Sequence, residues 1–306
     1  MSTDKRNVLI TGGAGRLARY VAAELEPNWE VTLFDVLAPD ETPFPWETKL
    51  KFVKGDLTNL ADCMRAITLS QADTIIHIGA ITHSTDQQPG FKMQQRRPED
   101  TTMQVNVMGT YYIMDAARRL GVKKVVFGSS FYALGLGFRI SKKPLPIEYL
   151  PIDEKHPTNT EDTYGLSKII GEEIVHTYCR AYGMKGVALR FMGIHYPNIR
   201  EIANDTEIEA RPGFEGGFMG TTHQYADCRD LAIACRLAAE KDLDSEFEAF
   251  FVTTDNSFRG SAREVVEKAY PKYAAMAANI KEGEGIISDK KIKDMLGYES
   301  KYTWRK

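Results

Sequence analysis

Asn7-Val8-Leu9-Ile10-Thr11-Gly12-Gly13-Ala14-Gly15-Arg16-Leu17-Ala18 is the stretch that decides how the rest of the chain is read. Residues 7–10 form a short apolar run suited to a buried strand, a glycine-rich turn follows, and 17–25 continues with helical spacing. Gly12 and Gly15 permit a tight turn and let the backbone approach a pyrophosphate at the N-terminus of the helix. Small Ala18 lets that helix close on the strand. A second strand, 30–35, ends in Asp35, about 20 residues beyond Gly15, where an acid holds an adenosine ribose. This order of features predicts a dinucleotide site built from Gly12, Gly15, Arg16, Leu17 and Asp35. A carboxylate at Asp35 accepts from ribose hydroxyls and repels a 2′-phosphate, which selects NAD. The Arg16 guanidinium pulls towards NADP, and the neighbouring acid offsets it.

Beyond this unit, strand-like and helix-like stretches alternate, the order that builds a parallel sheet with helices on both faces. After a strand at 50–53 comes Gly55-Asp56-Leu57, where Asp56, with Leu57 beside it, is placed to meet an adenine ring. Residues 74–80 read as a strand whose small end, Ile78-Gly79-Ala80, suits backbone approach to a cofactor. His77 within it reads as a core histidine, since no second and third metal ligand stand at useful spacing. The helix that follows is expected to turn Val105, Met108, Tyr112, Ala116 and Leu120 to the core. Residues 123–128 enter the sheet and deliver Ser129 and Ser130 at its carboxyl end, the edge where open α/β sheets hold ligands. Tyr164 and Lys168 then stand four apart, on one face of a helix whose candidate caps are Asn159, Thr160 and Asp162. A free phenol titrates at about 10, so a neighbouring cation is what would make it a base at neutral pH.

Composition narrows the function classes. With 306 residues the chain can bury a large core, and 43% hydrophobic with 26% charged residues is ordinary for a soluble protein. A net charge of −3 without a long basic run gives no footprint for nucleic acid or an anionic membrane. No apolar run approaches the ~18 residues of a membrane span, and the polar start at 1–6 does not read as a signal peptide. Cys63, Cys179, Cys228 and Cys235 lack paired spacing and read as buried, reduced thiols of a cytoplasmic protein.

Taken in order, the glycine turn, Asp35, Gly55-Asp56-Leu57, Asn106-Val107-Met108-Gly109-Thr110, Ser129-Ser130 with Gly135, the Tyr164/Lys168 helix and Leu189-Arg190-Phe191 resemble the extended short-chain dehydrogenase/reductase family. Nucleotide-sugar epimerases, dehydratases and several sugar dehydrogenases belong to it. The resemblance implies an α/β fold: a doubly wound parallel (Rossmann) sheet over 1–190 and a smaller C-terminal substrate lobe over 191–306, some of whose segments return to the sheet. It implies Tyr164 as catalytic acid/base and Lys168 as the residue that binds the nicotinamide ribose and lowers the tyrosine pKa. Ser130 becomes the partner of the substrate oxygen, since the family's serine lies five residues before the glycine matched by Gly135. Asn106 supports the active-site helix and joins the cofactor set, with Ile78, Gly79 and Ala80. Phe131 and Tyr132 complete the expected substrate wall. Helices at 101–120 and 161–182 are those that the family pairs across a homodimer.

Departures from the family pattern bear on the substrate. Dehydratase members carry acids after the serine, whereas Phe131 and Tyr132 stand here, so elimination is not expected. A diphosphate-binding arginine is replaced by His223, the second such segment reads Ile280-Lys281-Glu282-Gly283-Glu284-Gly285, and the asparagine after the Leu-Arg-aromatic strand is Gly193. Two missing arginines remove charge-assisted bonds to phosphate. Lys281, Arg259 or the Arg96/Arg97 pair are candidates to substitute for them, and each reads more simply as surface charge. The expected activity is therefore NAD-dependent oxidation or reduction of a secondary alcohol or carbonyl carbon in a small sugar-like substrate. The loop of Ser129, Ser130 and Gly135 also resembles that of uronate dehydrogenases. The alternatives are an NDP-sugar 4-epimerase that retains NAD, and a cofactor-binding regulator without turnover. In the second lobe, 196–218 reads as loops, 227–240 as a helix, 249–253 as a strand and 288–297 as a short amphipathic helix ahead of packing aromatics Tyr298 and Trp304.

Overall fold

The computed structural model describes residues 5–86, 97–137, 139–197 and 223–305. Strand β1 (Arg6–Thr11) leads through the glycine turn into α1 (Arg16–Leu25), followed by β2 (Trp29–Asp35), β3 (Lys51–Lys54), α2 (Leu60–Ser70) and β4 (Thr74–His77). A single helical run then comprises α3 (Thr101–Met103), a π-helical turn (Gln104–Met108) and α4 (Gly109–Arg119). Next come β5 (Lys124–Ser130), α5 (Thr163–Tyr182), β6 (Lys185–Phe191) and β7 (Gly193–His195). The remainder supplies β8 (Gln224–Asp227), α6 (Cys228–Glu240), β9 (Phe247–Val252), β10 (Asp255–Asn256), α7 (Ala262–Ala269), α8 (Ala274–Ala277) and α9 (Lys290–Leu296).

Seven strands form one sheet in the order β3-β2-β1-β4-β5-β6-β9, and every neighbouring pair is parallel. Such a sheet is covered on both faces, so its strands are apolar almost without alternation. Val8 and Ile10 of β1 enter the core shared with α1 and α6, while Leu9 enters the core shared with α2, α4 and α5. Strand order reverses between β1 and β4, which opens the crevice where doubly wound sheets bind ligands. A smaller sheet, β10-β8-β7, stands apart from the first, whereas β9 pairs with β6 and α6 packs on α1.

Two expectations are corrected. The strand expected at 74–80 ends at His77, and Ile78, Gly79 and Ala80 form the loop at its carboxyl end. On the 101–119 run, of the five residues expected in the core only Ala116 is buried. Leu120 is exposed, and Ile113, Met114 and Ala117 take the core positions. A π-helical turn holds an extra residue, which rotates everything after it by about 100° relative to an unbroken helix.

The C-terminal segment folds back onto the molecule. Gly297 ends α9 with φ 70°, and Tyr298 is buried with its hydroxyl donating to the Thr253 carbonyl at 3.0 Å. The Trp304 indole N–H donates to the Asn256 carbonyl at 2.7 Å. Tyr298 is a packing residue, as expected, while Trp304 is only partly buried, with the Arg305 guanidinium 4.8 Å from its ring. All four cysteines are free and buried, and desolvation pushes each thiol up to about 12. No helix among the described residues is long and apolar enough to cross a membrane.

Candidate active site

The glycine turn is shaped by contact between backbones. Gly12 has φ 69°, and a Cβ there would stand 2.6 Å from the Cα of Gly79, so only glycine suits both its conformation and its space. No side chain caps α1, which begins directly after Gly15 and leaves the first-turn N–H groups of Arg16 and Leu17 to an anion. Asp35 closes the end of β2: its carboxylate accepts from the N–H groups of Ala14 at 3.1 Å and Val36 at 2.7 Å. Burial pushes this carboxyl above its usual range, and the N–H bonds oppose the shift. Lone pairs remain on it for ribose hydroxyls.

Arg16 is engaged differently from the expectation that Asp35 would offset it. Its guanidinium lies between the rings of Phe44 and Tyr196, 4.3 and 4.5 Å from their centroids. Leu57 lies against Gly79 and Gly109: a Cβ on either would stand 2.8 or 3.1 Å from its side chain. Ile78 likewise lies against Gly128. Ala80 is partly exposed beside them, and Asp56 is exposed, its Oδ1 accepting from the N–H and hydroxyl of Thr58, both at 2.8 Å. Gly12, Gly15, Asp35 and Gly79 thus meet at the carboxyl edge of β1, β2 and β4, in a cradle that added side chains would fill. These residues fit a dinucleotide.

The second half of the site rests on α5. Of the three candidate caps Asp162 serves, accepting from the Gly165 N–H at 2.8 Å. The Ser84 hydroxyl donates to Asp162 at 3.0 Å and accepts from the Tyr164 N–H at 3.2 Å, tying the loop after β4 to the helix start. One turn further, the Lys168 ammonium is buried 5.6 Å from the centroid of the Tyr164 ring and donates to the Gly128 carbonyl at 2.8 Å. Burial pushes Lys168 down to about 8 against the opposing charge of Glu172. Tyr164 retains partial solvent access as a residue, yet desolvation of its hydroxyl pushes it up to about 12. A hydrogen bond with Ser130 pulls it down, and Tyr132 and Asp162 push it further up.

Adjacent serines point to opposite faces of β5 and have different partners. Ser129 donates to Glu172, whose carboxylate is held by Arg190 at 2.9 and 2.8 Å in a buried bidentate pair. Ser130 accepts from the Tyr132 N–H at 3.2 Å and meets the Tyr164 phenol. Tyr132 lies edge-on to Tyr164 with centroids 5.7 Å apart, and buried Phe131 packs on Tyr132 at 4.6 Å. Asn106 does not reach this group. Its amide donates to the Ile81 carbonyl at 2.9 Å and the Ser167 hydroxyl at 3.0 Å, and accepts from the Ile81 N–H at 2.8 Å. Ser130, Tyr132, Tyr164 and Lys168 are therefore brought together, with Asn106 bracing the helix from behind.

The sequence model of the NAD dependent epimerase/dehydratase family matches residues 8–199. The chain belongs to that family. It is 31% identical over 189 residues to a putative UDP-glucose 4-epimerase of Methanocaldococcus jannaschii, covering 61% of this chain and 56% of that protein. A decarboxylating sterol-4-alpha-carboxylate 3-dehydrogenase of Candida albicans is 29% identical, covering 84% of this chain and 72% of its own. Uronate dehydrogenase of Pseudomonas putida is 28% identical, covering 64% of this chain and 63% of its own. Among solved structures, UDP-glucose 4-epimerase from Brucella ovis in complex with NAD aligns with a TM-score of 0.67 at 22% identity, over 97% of this chain and 94% of that one. That likeness establishes the Rossmann fold.

His223 and Gly193, which the sequence sets apart from the expected pattern of the NAD dependent epimerase/dehydratase family, lie among the described residues. His223 takes φ 57°, and its Nε2 lies 2.6 Å from the Tyr270 hydroxyl. A Cβ on Gly193 would meet nothing within 4 Å. Arg96 and residues 198–222 lie outside the described residues. Sequence reading missed Ser84, Ser167 and Glu172. For Glu172 a signal existed: it follows Lys168 at i+4, on the same helical face.

Proposed function

We propose that the chain is an NAD-dependent oxidoreductase that interconverts a secondary alcohol and its carbonyl in a small sugar-like substrate, through Ser130, Tyr164 and Lys168. The observation that carries this reading is the division of labour between the two serines: Ser129 is bound into the Glu172–Arg190 pair, while Ser130, on the other face of β5, is left to favour ionisation of the Tyr164 phenol. NAD, held by Gly12, Gly15, Arg16, Leu17, Asp35 and the loop at Ile78–Ala80, would supply the hydride acceptor. Ser130 holds the substrate oxygen, Tyr164 takes the hydroxyl proton during oxidation, and Lys168 supplies the positive charge that favours phenolate. In the structure, desolvation holds that phenol neutral. Positive charge near the ring favours deprotonation, and an oxidised nicotinamide, when bound, would add to that of Lys168.

Two observations support a substrate without a nucleotide. His223, standing where the family pattern leads to a diphosphate-binding arginine, has its Nε2 2.6 Å from the Tyr270 hydroxyl, and an imidazole lacks the bidentate fork with which a guanidinium holds phosphate. Uronate dehydrogenase among the relatives supports a sugar acid. The second reading, an NDP-sugar 4-epimerase with retained NAD, draws on the UDP-glucose 4-epimerase relatives. We also propose a homodimer through the exposed Tyr111, Leu166 and Tyr182 on α4 and α5, which are 42%, 40% and 54% accessible, and a cytoplasmic location, which the unpaired thiols favour.

The test is NADH absorbance with purified protein, NAD or NADP, and a panel of aldoses, uronates and hydroxy acids. NADH formation that falls by about 10²–10⁴ in Tyr164→Phe is expected. No net NADH with any panel member, combined with interconversion of UDP-glucose and UDP-galactose, replaces the dehydrogenase reading by the epimerase.

A further inference from the structure

A chain of buried hydrogen bonds runs beneath both halves of the site. The Gly79 N–H donates to Thr11 Oγ1 at 3.2 Å, Thr11 Oγ1 stands 2.6 Å from His77 Nδ1, and His77 Nε2 stands 3.0 Å from Thr110 Oγ1. Thr110 donates its hydroxyl hydrogen to the Asn106 carbonyl at 2.5 Å. That last bond fixes the direction of the others. With its only hydrogen committed, Thr110 must accept from His77 Nε2–H, and a neutral imidazole then offers Nδ1 as an acceptor for the Thr11 hydroxyl. Thr11 in turn keeps lone pairs for Gly79. Burial, with Lys168 adding to it, pushes His77 down to about 3, so the ring is neutral at ordinary pH.

Beyond Asn106 the path continues by its side-chain amide to Ser167, the residue before Lys168. Thr11, His77 and Thr110 are each at most 1% accessible, so water does not replace a lost partner. The π-helical turn places Asn106 in this path: its carbonyl accepts from the Thr110 side chain while its amide faces Ile81 and α5.

We propose that His77 is a positioning residue: through Thr11, Thr110, Asn106 and Ser167 it couples dinucleotide binding at Gly12 and Gly79 to the placement of Lys168 on α5. The inference rests on the reading of Tyr164 and Lys168 given above. An imidazole suits this post because it offers an acceptor and a donor on opposite edges of one rigid ring, so a shift of the glycine turn is passed on to the helix.

The chain can be cut on each side separately. Thr110→Val removes the acceptor on the helix side and leaves the glycine turn untouched; Thr11→Val removes the donor on the turn side and leaves α5 untouched. In titration calorimetry with NAD and no substrate, Thr110→Val is expected to weaken binding about tenfold, and Thr110→Ser, which keeps the hydroxyl, to restore it. In the protein without NAD, Thr11→Val is expected to raise amide hydrogen exchange across 163–170, and Thr11→Ser to leave it unchanged. NAD affinity within about twofold of wild type in folded Thr110→Val, or unchanged exchange in Thr11→Val, overturns the coupling. Should Thr110→Val not fold, His77→Asn makes the same cut, keeping an acceptor towards Thr11 while falling short of Thr110, and the same loss of NAD affinity is expected. Both measurements are made without substrate, so they are decided separately from the effect of Tyr164→Phe on turnover.

Discussion

Ser129 and Ser130 show how neighbours in sequence come to different duties at the residue scale. Ser129→Ala removes one donor to a buried carboxylate that Arg190 still holds, and is expected to cost about 1–2 kcal/mol in urea unfolding while the folded protein keeps its turnover. Ser130→Ala is expected to do the reverse, lowering kcat at least tenfold with the urea midpoint almost unchanged. Loss of turnover on the Ser129 side would mean that the roles are exchanged. His77 carries a second prediction. Its folded pKa of about 3 lies below the ordinary 6.5, so between those values the unfolded chain binds a proton that the folded chain refuses. Stability from this group is fully present above about pH 6.5 and is lost as pH falls through the window, by about 1.4 kcal/mol per pH unit. In urea titrations between about pH 4 and 6, His77→Gln should show a shallower acid dependence than wild type by about that slope.

Elements were legible wherever one physical signal dominated. β1, α1 and β2 were readable because a buried strand, a glycine turn and an acid at a fixed distance constrain one another, and α5 was readable from Tyr164, Lys168 and the cap at Asp162. What sequence could not give was the phase of the 101–119 run. A π-helical turn has no composition of its own, and it exchanged the expected core face for Ile113, Met114 and Ala117. Within the candidate site, Tyr164 and Lys168 could be paired from their spacing, whereas the bonds of Ser84, Glu172 and Asn106 join residues far apart in the chain and appear only once the fold brings them together. Asp162 belongs to this scale, since its cap sets the first turn on which Tyr164 stands. Asp162→Ala is expected to lower stability by about 1–2 kcal/mol and to reduce kcat, and Asp162→Asn to recover most of both, as measured by thermal melts and the NADH assay.

Across the whole molecule the two sheets are locked together by chain returns rather than by a linker. β9 completes the large sheet between β8 and β10 of the small one, α6 packs on α1, and Asp230 at the start of α6 receives the backbone N–H groups of Lys301 and Tyr302 at 2.8 and 3.2 Å. The four thiols, all buried and all pushed up to about 12, lead to a further prediction: maleimide at neutral pH should leave the folded protein unlabelled, as checked by intact mass. A cysteine introduced at exposed Arg180, near the end of α5, would be the sole site of attachment for a dye on each chain. In a dimer formed through α4 and α5, such dyes exchange excitation and lose fluorescence anisotropy, and dilution with unlabelled protein restores it. Anisotropy independent of that dilution would count against a dimer through these helices, so thiols buried for packing would turn the question of assembly into a single optical reading.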